Sequence, residues 1–414
     1  MPDLSVYGER IVGSEIIKIS QEIKKVVSEG NEVINYTIGD FDPSINPIPE
    51  LLNELIYHYY QEGKTNYPFS SGELSLRESV SAYLSETQMI QYSPSNILVG
   101  CGVRPLIYLA YKTLINSGDG IIFPVPSWNN NHYTMLHQGL AQPIECSHEN
   151  DFFPTVDQVR NTITEDTRMI CICSPQNPTG KTISANVLSD ICKLIVDVNA
   201  GRDKKIWILY DQIYSDLSQT DFIHPSILVP EIHPYLVCLD GVSKSLCATG
   251  VRVGWIFGPD KFIQKATEVF SHIGAWAAKP EQLAVGEYLK SNDIKSYLTE
   301  KKSQYSSIFK SFCDFFEDAK NDGYWVDYKT PDGGIYISLF IGYALNHEQE
   351  QFCKDLIKEN GIGIVPFKYF GSKENNGWFR ISIGNVDSTN MEYHLEKWKS
   401  VLKVLRTRHN SLAF

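Results

Sequence analysis

The sequence predicts an α/β fold, a mostly parallel sheet covered by helices on both faces, with a smaller α+β domain beside it. Three observations carry this. Short apolar runs alternate with helical stretches between about residues 96 and 240, and strands alternating with helices imply parallel strands joined by crossovers. After about residue 285 the alternation gives way to helical segments and a few shorter strands. The chain has 414 residues, more than one ordinary core accommodates, so two domains are expected.

In chain order, residues 14–29 place Ile16, Ile17, Ile19, Ile23, Val26 and Val27 at helical spacing. Residues 33–38 read as a strand that stops at Gly39-Asp40. The prolines of residues 42–47 make an extended linker, because a proline disfavours helix in the residue before it. Helices at 49–62 and 73–87 flank the polar-aromatic loop 66–72. Strands are expected at 96–100, 120–124, 169–174, 206–210 and 235–239, with helices such as 105–115 and 185–198 between them. Helical segments then run to about residue 320, followed by strands at 334–340, 363–366 and 378–383 and a final helix at 391–408. The domain reading is a large domain over 48–288 and a small domain from 1–47 and 289–414.

Lys and Arg number 37 against 49 Asp and Glu, a net charge of −12. Nucleic acid and anionic membrane surfaces need basic patches, so neither is expected as the main partner. No run of about 18 apolar residues predicts a membrane span, and the N-terminus lacks the apolar core of a signal peptide. Nine cysteines without a paired framework read as free thiols in a reducing cytoplasm. No histidine pair has zinc spacing, so no metal is expected.

Four loops then stand out, each at the end of an expected strand. Ser243-Lys244 follows the run 235–239, and Arg252 lies between Gly250 and Gly254. Ligands bind outside the carboxyl ends of strands in open α/β sheets. A desolvated lysine near a second cation has a lowered pKa and suits condensation with an aldehyde, although a lone lysine reads equally as a surface residue. Gly100-Cys101-Gly102-Val103-Arg104 follows a strand and opens a helix, a phosphate cradle or a plain tight turn. Ser174-Pro175-Gln176-Asn177-Pro178-Thr179-Gly180 holds Asn177 between two prolines, as a donor to a ligand oxygen or a turn asparagine. Asp211-Gln212-Ile213-Tyr214 offers a carboxylate for a protonated ring nitrogen, or a helix cap. Taken together, an amine, a carboxylate, an amide and a phosphate cradle are what pyridoxal 5′-phosphate requires.

With these motifs in this order the chain resembles the class I/II, fold type I, pyridoxal-phosphate aminotransferases, close to the aspartate aminotransferase group. The resemblance runs from about Gly39 to Arg380. It implies a seven-stranded, mostly parallel sheet, pyridoxal 5′-phosphate as cofactor, ping-pong transfer between an L-amino acid and a 2-oxo acid, and a homodimer with shared active sites. It implies that Lys244 condenses with the cofactor and then shuttles the proton, and that Asp211 pairs with the ring nitrogen. Asn177 and Tyr214 are implied at the phenolic oxygen, and Ser243, Arg252 and the amides near Cys101, Gly102 and Val103 at the phosphate. Trp128 matches the aromatic that stacks on the ring, and Tyr67 the tyrosine that reaches the phosphate of the partner subunit. Gly39 and Arg380 match the substrate α-carboxylate site, where a guanidinium fork fits geometrically.

Two departures bear on specificity. Val103 stands where some aspartate-type members carry a lysine for a second carboxylate, and Ser127 precedes the stacking tryptophan. Val103 leads to the expectation that dicarboxylic donors hold no large advantage, unless Arg104 turns inward. The rival readings are a β-lyase on the same scaffold, a non-catalytic pyridoxal-phosphate regulatory protein and, more remotely, a nicotinamide oxidoreductase.

Overall fold

Strands β2 (Ile97–Gly100), β3 (Gly120–Val125) and β7 (Leu236–Gly241) are buried at every residue, which is why they read as unbroken apolar runs rather than alternating ones. They belong to a computed structural model that describes residues 4, 8, 9, 11, 13, 15–372 and 375–412. With β4 (Leu140–Glu145), β5 (Thr167–Cys173), β6 (Trp207–Asp211) and β8 (Gly254–Phe257) they form a seven-stranded sheet in the order β2-β8-β7-β6-β5-β3-β4. Only β8 runs antiparallel to its neighbours. Successive side chains enter opposite cores: Ile170, Ile208 and Cys238 pack on one face, Cys171, Leu209 and Val237 on the other. The sheet is therefore helix-covered on both sides, as the alternation predicts.

The expected helices form within a few residues of their predicted bounds, at Glu50–Gln61, Leu74–Gln88, Val103–Leu114 and Ala185–Ala200. Two strands of this sheet escaped the sequence reading. β4 is an edge strand with mostly solvent-facing residues, so it carries no apolar run. β8 has four residues and begins inside the glycine-flanked loop.

A second sheet, in the order β12-β13-β10-β9, is wholly antiparallel. It contains β9 (Val326–Lys329), β10 (Tyr336–Ile341), β12 (Val365–Pro366) and β13 (Trp378–Ser382). The expected strand at 33–38 contracts to β1 (Ile34–Asn35), which pairs in parallel with β11 (Ile362–Gly363) and so ties the N-terminal segment to this half. The 29-residue helix Asp293–Asn321 joins the cores. Ile294 near its start belongs to the core of the large sheet, whereas Tyr305, Ile308, Phe312 and Phe316 pack with Tyr36, Ile337, Phe379 and Trp398. Among the described residues no helix is long and apolar enough to cross a membrane.

Register aligns the ends that matter. Cys173 is level with Asp211, Asp211 with Leu239, and Gly241 with Gly254 and through it Gly100. Close approach makes two of these positions glycine: a Cβ on Gly241 would lie 2.7 Å from Gly254 Cα, and one on Gly254 2.8 Å from Gly102 C.

Candidate active site

A cleft of about 630 Å³ opens where these strand ends face β10, β13 and the Thr37–Asp40 segment. Lys244 sits on the short helix Val242–Ser245 that follows β7. Its Nζ donates to Gly39 O at 2.6 Å and lies 5.8 Å from the Phe41 ring centroid. Burial lowers this amine to about 8; Asp40 opposes the shift, and the Arg380, Arg104 and Arg252 cations add to it. A large neutral fraction near physiological pH follows, which a nucleophilic amine needs.

Asp211 is the last residue of β6. Its Oδ1 accepts from Ile213 N at 3.1 Å, an Asx turn rather than the helix cap offered as the alternative, since Tyr214 holds the N-cap position of the next helical turn. Burial raises the carboxyl to about 6, against the Ile213 N–H and the Lys244 charge. A cationic ring nitrogen beside it would relieve that cost.

Asn177 is not a turn cap. Its Oδ1 accepts from Arg380 Nη1 at 3.0 Å, so the amide nitrogen remains as donor. Arg380, on β13, is 1% exposed and donates through Nη2 to Thr37 O at 2.5 Å. Its guanidinium lies 4.6 Å from the Tyr336 ring and 4.9 Å from the Phe370 ring, and its Nε finds no partner among the described residues. Both hydrogen bonds go to neutral oxygens, so the buried charge awaits an anion; a carboxylate suits this fork. Gly39 lets the chain pass close by, since a Cβ there would meet Tyr336 Oη at 2.3 Å.

At the other end of the cleft the helix Val103–Leu114 opens after Gly102, whose φ is +83°. A Cβ on Gly102 would lie 2.2 Å from Arg252 Nη2. Arg252 donates to Thr249 O at 2.8 Å and to Cys101 O at 3.0 Å. The buried Ser243 and the partly buried Val103 line the same wall. A helix N-terminus, a hydroxyl and a guanidinium converging in this way form an anion site. Cys101 and Gly102 supply backbone behind Arg252 rather than cleft surface.

Trp128 follows β3 and lines the cleft beside Arg104. The direction of Arg104, open in the sequence, is inward, with its guanidinium 5.5 Å from the Trp128 ring centroid. The expectation drawn from Val103 is conditional on Arg104 not turning inward, and Arg104 lines the cleft beside Val103. Tyr214 is buried and its hydroxyl lies 2.9 Å from that of Tyr336. Tyr67 is not brought into the cleft; it is 85% exposed and meets Trp276 edge-on at 6.0 Å. Sequence reasoning missed Tyr336, a strand residue in no motif, and Asp40, whose Oδ1 accepts from Thr249 Oγ1 at 2.5 Å.

The arrangement fits pyridoxal 5′-phosphate on its own chemistry: a weakly basic amine, a desolvated carboxylate, an amide donor, a phosphate cradle and an unpaired buried guanidinium. Known proteins are similar to this chain in sequence and in fold. A "26% identical" aspartate aminotransferase from Bacillus sp. (strain YM-2) aligns over 87% of this chain and 90% of its own length. An aspartate/prephenate aminotransferase from Cereibacter sphaeroides is 25% identical over 94% of this chain and 96% of its own. In fold, the chain matches the aspartate aminotransferase of Thermus thermophilus with maleate at a TM-score of 0.87 (21% identity, 97% and 100% covered). It matches the alanine aminotransferase of Pyrococcus furiosus at 0.85 (22% identity, 97% and 100% covered). The family model for aminotransferase class I and II covers residues 31–397. On motif order, site geometry and this match, the chain belongs to the class I and II aminotransferases and is a pyridoxal-phosphate-dependent transaminase.

Proposed function

We propose that this cleft moves the α-amino group of an L-amino acid to a 2-oxo acid in two half-reactions that use one site in turn, and that dicarboxylic substrates are preferred. The observation that carries the reading is the placement of Lys244 and the charge-uncompensated Arg380 in one cleft. Arg380 takes the α-carboxylate as a fork, with Gly39 lining the same cleft. Pyridoxal 5′-phosphate supplies an aldehyde that condenses with amines and a protonated ring that draws in the electron pair left when the α-proton departs. Asp211 keeps that ring nitrogen protonated. Asn177, with its oxygen committed to Arg380, donates through its amide nitrogen to the phenolic oxygen, as does Tyr214. Ser243, Arg252 and the Val103 amide hold the phosphate, and Trp128 covers the ring; the Cys101 and Gly102 amides, implied there by the resemblance, already donate to Ala275 O at 2.9 Å and Gly100 O at 2.7 Å. Lys244, with its amine lowered to about 8, is the base that removes the Cα proton and returns it. The inward Arg104 supplies a cation for a second carboxylate, in keeping with the aspartate-named relatives.

The same reading makes residues 48–288 the large domain and 1–47 with 289–414 the small one. It makes the enzyme a cytoplasmic homodimer in which Tyr67 reaches the phosphate bound by the partner. The exposure of Tyr57, Tyr60, Tyr67 and Phe69, at 67%, 46%, 85% and 66%, supports a covered face there. The test is a single-turnover panel of amino donors read by the cofactor absorbance. Each donor should bleach it and a 2-oxo acid restore it. Arg380→Ala, with cofactor still bound, should lose about 10²–10³-fold in kcat/KM toward every donor. Release of ammonia with the absorbance recovering in the absence of any 2-oxo acid would refute transfer in favour of elimination.

A further inference from the structure

We infer that Tyr336 is a positioning residue of this site: its hydroxyl donates a hydrogen bond to the Tyr214 oxygen and thereby sharpens Tyr214 as a donor to the phenolic oxygen. The inference rests on the proposed role of Tyr214. Tyr336 is on β10, is 1% exposed and lines the cleft. Its hydroxyl is 2.9 Å from that of Tyr214, and the two rings meet edge-on with centroids 5.6 Å apart. The position is held tightly from several sides. Gly180 packs against its carbonyl, where a Cβ would approach to 2.2 Å. Gly39 packs against its hydroxyl, where a Cβ would approach to 2.3 Å. The Arg380 guanidinium lies 4.6 Å from its ring centroid.

The direction of the hydrogen bond follows from counting protons. A phenolic hydroxyl has one proton to give. Burial pushes both hydroxyls up, so both stay protonated. Without a ligand either can donate to the other. An anionic oxygen beside Tyr214 claims the Tyr214 proton, because a hydrogen bond to a charged acceptor is about twice as strong as one between neutral groups. Tyr214 is then left as acceptor, and the Tyr336 proton completes the chain. Hydrogen bonds in such chains strengthen one another by about 10–30%. Tyr336 also packs beneath the guanidinium proposed to bind substrate, so one side chain spans the cofactor and carboxylate ends of the cleft.

The consequence is spectroscopic. Donation to the phenolic oxygen draws away negative charge that would otherwise hold a proton on the Lys244 nitrogen joined to the cofactor, so that proton leaves at lower pH. Losing the Tyr214 donor should raise the pH midpoint of the absorbance change in substrate-free holoenzyme by about 1–2 units. Tyr336→Phe keeps the ring and loses only the hydroxyl, and should raise the midpoint by a few tenths of a unit, roughly the cooperative share of that effect. The experiment is this pH titration in wild type, Tyr336→Phe, Tyr214→Phe and the double variant. A rise in Tyr336→Phe that vanishes on the Tyr214→Phe background supports the inference. A midpoint that is unchanged or falls in Tyr336→Phe, while Tyr214→Phe raises it, overturns the inference and leaves the role of Tyr214 standing. A midpoint unmoved in Tyr214→Phe overturns that role and the inference with it.

Discussion

Replacing Arg104 by Met removes the inward cation and keeps much of its bulk. Arg104 lies in the first turn of the helix Val103–Leu114, with its guanidinium 5.5 Å from the Trp128 ring centroid. A substrate carboxylate docked on it gains a charge-assisted hydrogen bond of about 1.5–3 kcal/mol, which is about 10–150-fold in kcat/KM. A methyl side chain gains nothing from that charge. In Arg104→Met, aspartate and glutamate should therefore lose about 10–150-fold, while alanine changes by less than about threefold. The assay is kcat/KM for each donor at saturating 2-oxo acid. A second readout comes from the same change. Arg104 is one of the cations that lower the Lys244 amine, so its removal moves that amine up from about 8. Cofactor uptake by the apoenzyme should then shift to higher pH. An equal loss for all donors, or an unaltered preference for dicarboxylates, would refute Arg104 as the partner of the second carboxylate. The expectation drawn from Val103 would then stand.

Borohydride reduction of the holoenzyme should attach the cofactor to Lys244, and Lys244→Ala should lose transamination by several orders of magnitude because nucleophile and base vanish together; peptide mapping that placed the label on another lysine would sink the assignment. Asp211→Asn should bind cofactor more weakly and lose most turnover, because a neutral amide does not hold the ring nitrogen protonated. Apoenzyme stability adds a pH signature. The carboxyl of Asp211 rises to about 6 in the fold, so its contribution is present below its ordinary value and is lost as pH climbs through 6, on the order of 3 kcal/mol. Lys244 falls to about 8, so the folded state holds fewer protons than the unfolded one from there up to 10.5, and stability returns over that window. Denaturant titrations of apo wild type against apo Asp211→Asn should differ increasingly from pH 4 to 6; parallel curves there would contradict the burial of the carboxylate.

Much of the site was legible because each motif sits at a strand end, where residue type, local turn and cofactor chemistry lie within a few positions. Asp211, Lys244 and the Gly102 turn are of this kind: β6 ends on Asp211, and the short helix after β7 carries Lys244. Long parallel strands were legible for a related reason, since burial on both faces demands an apolar run. The exposed edge strand β4 and the partly exposed, four-residue β9 made no such demand.

The sequence by itself determined the fold class and the cofactor and pointed to Lys244 as the candidate reacting amine, because these follow from local pattern and residue chemistry. Tertiary structure decided which distant groups meet. Arg380 donates to Asn177 across 203 residues, Lys244 to Gly39 O across 205, and Tyr336 meets Tyr214 across 122. It also turned Arg104 toward Trp128 and left Tyr67 facing outward. The direction of a side chain on a helix's first turn, and the pairing of groups on separate sheets, depend on packing between elements, and no spacing along the chain encodes them.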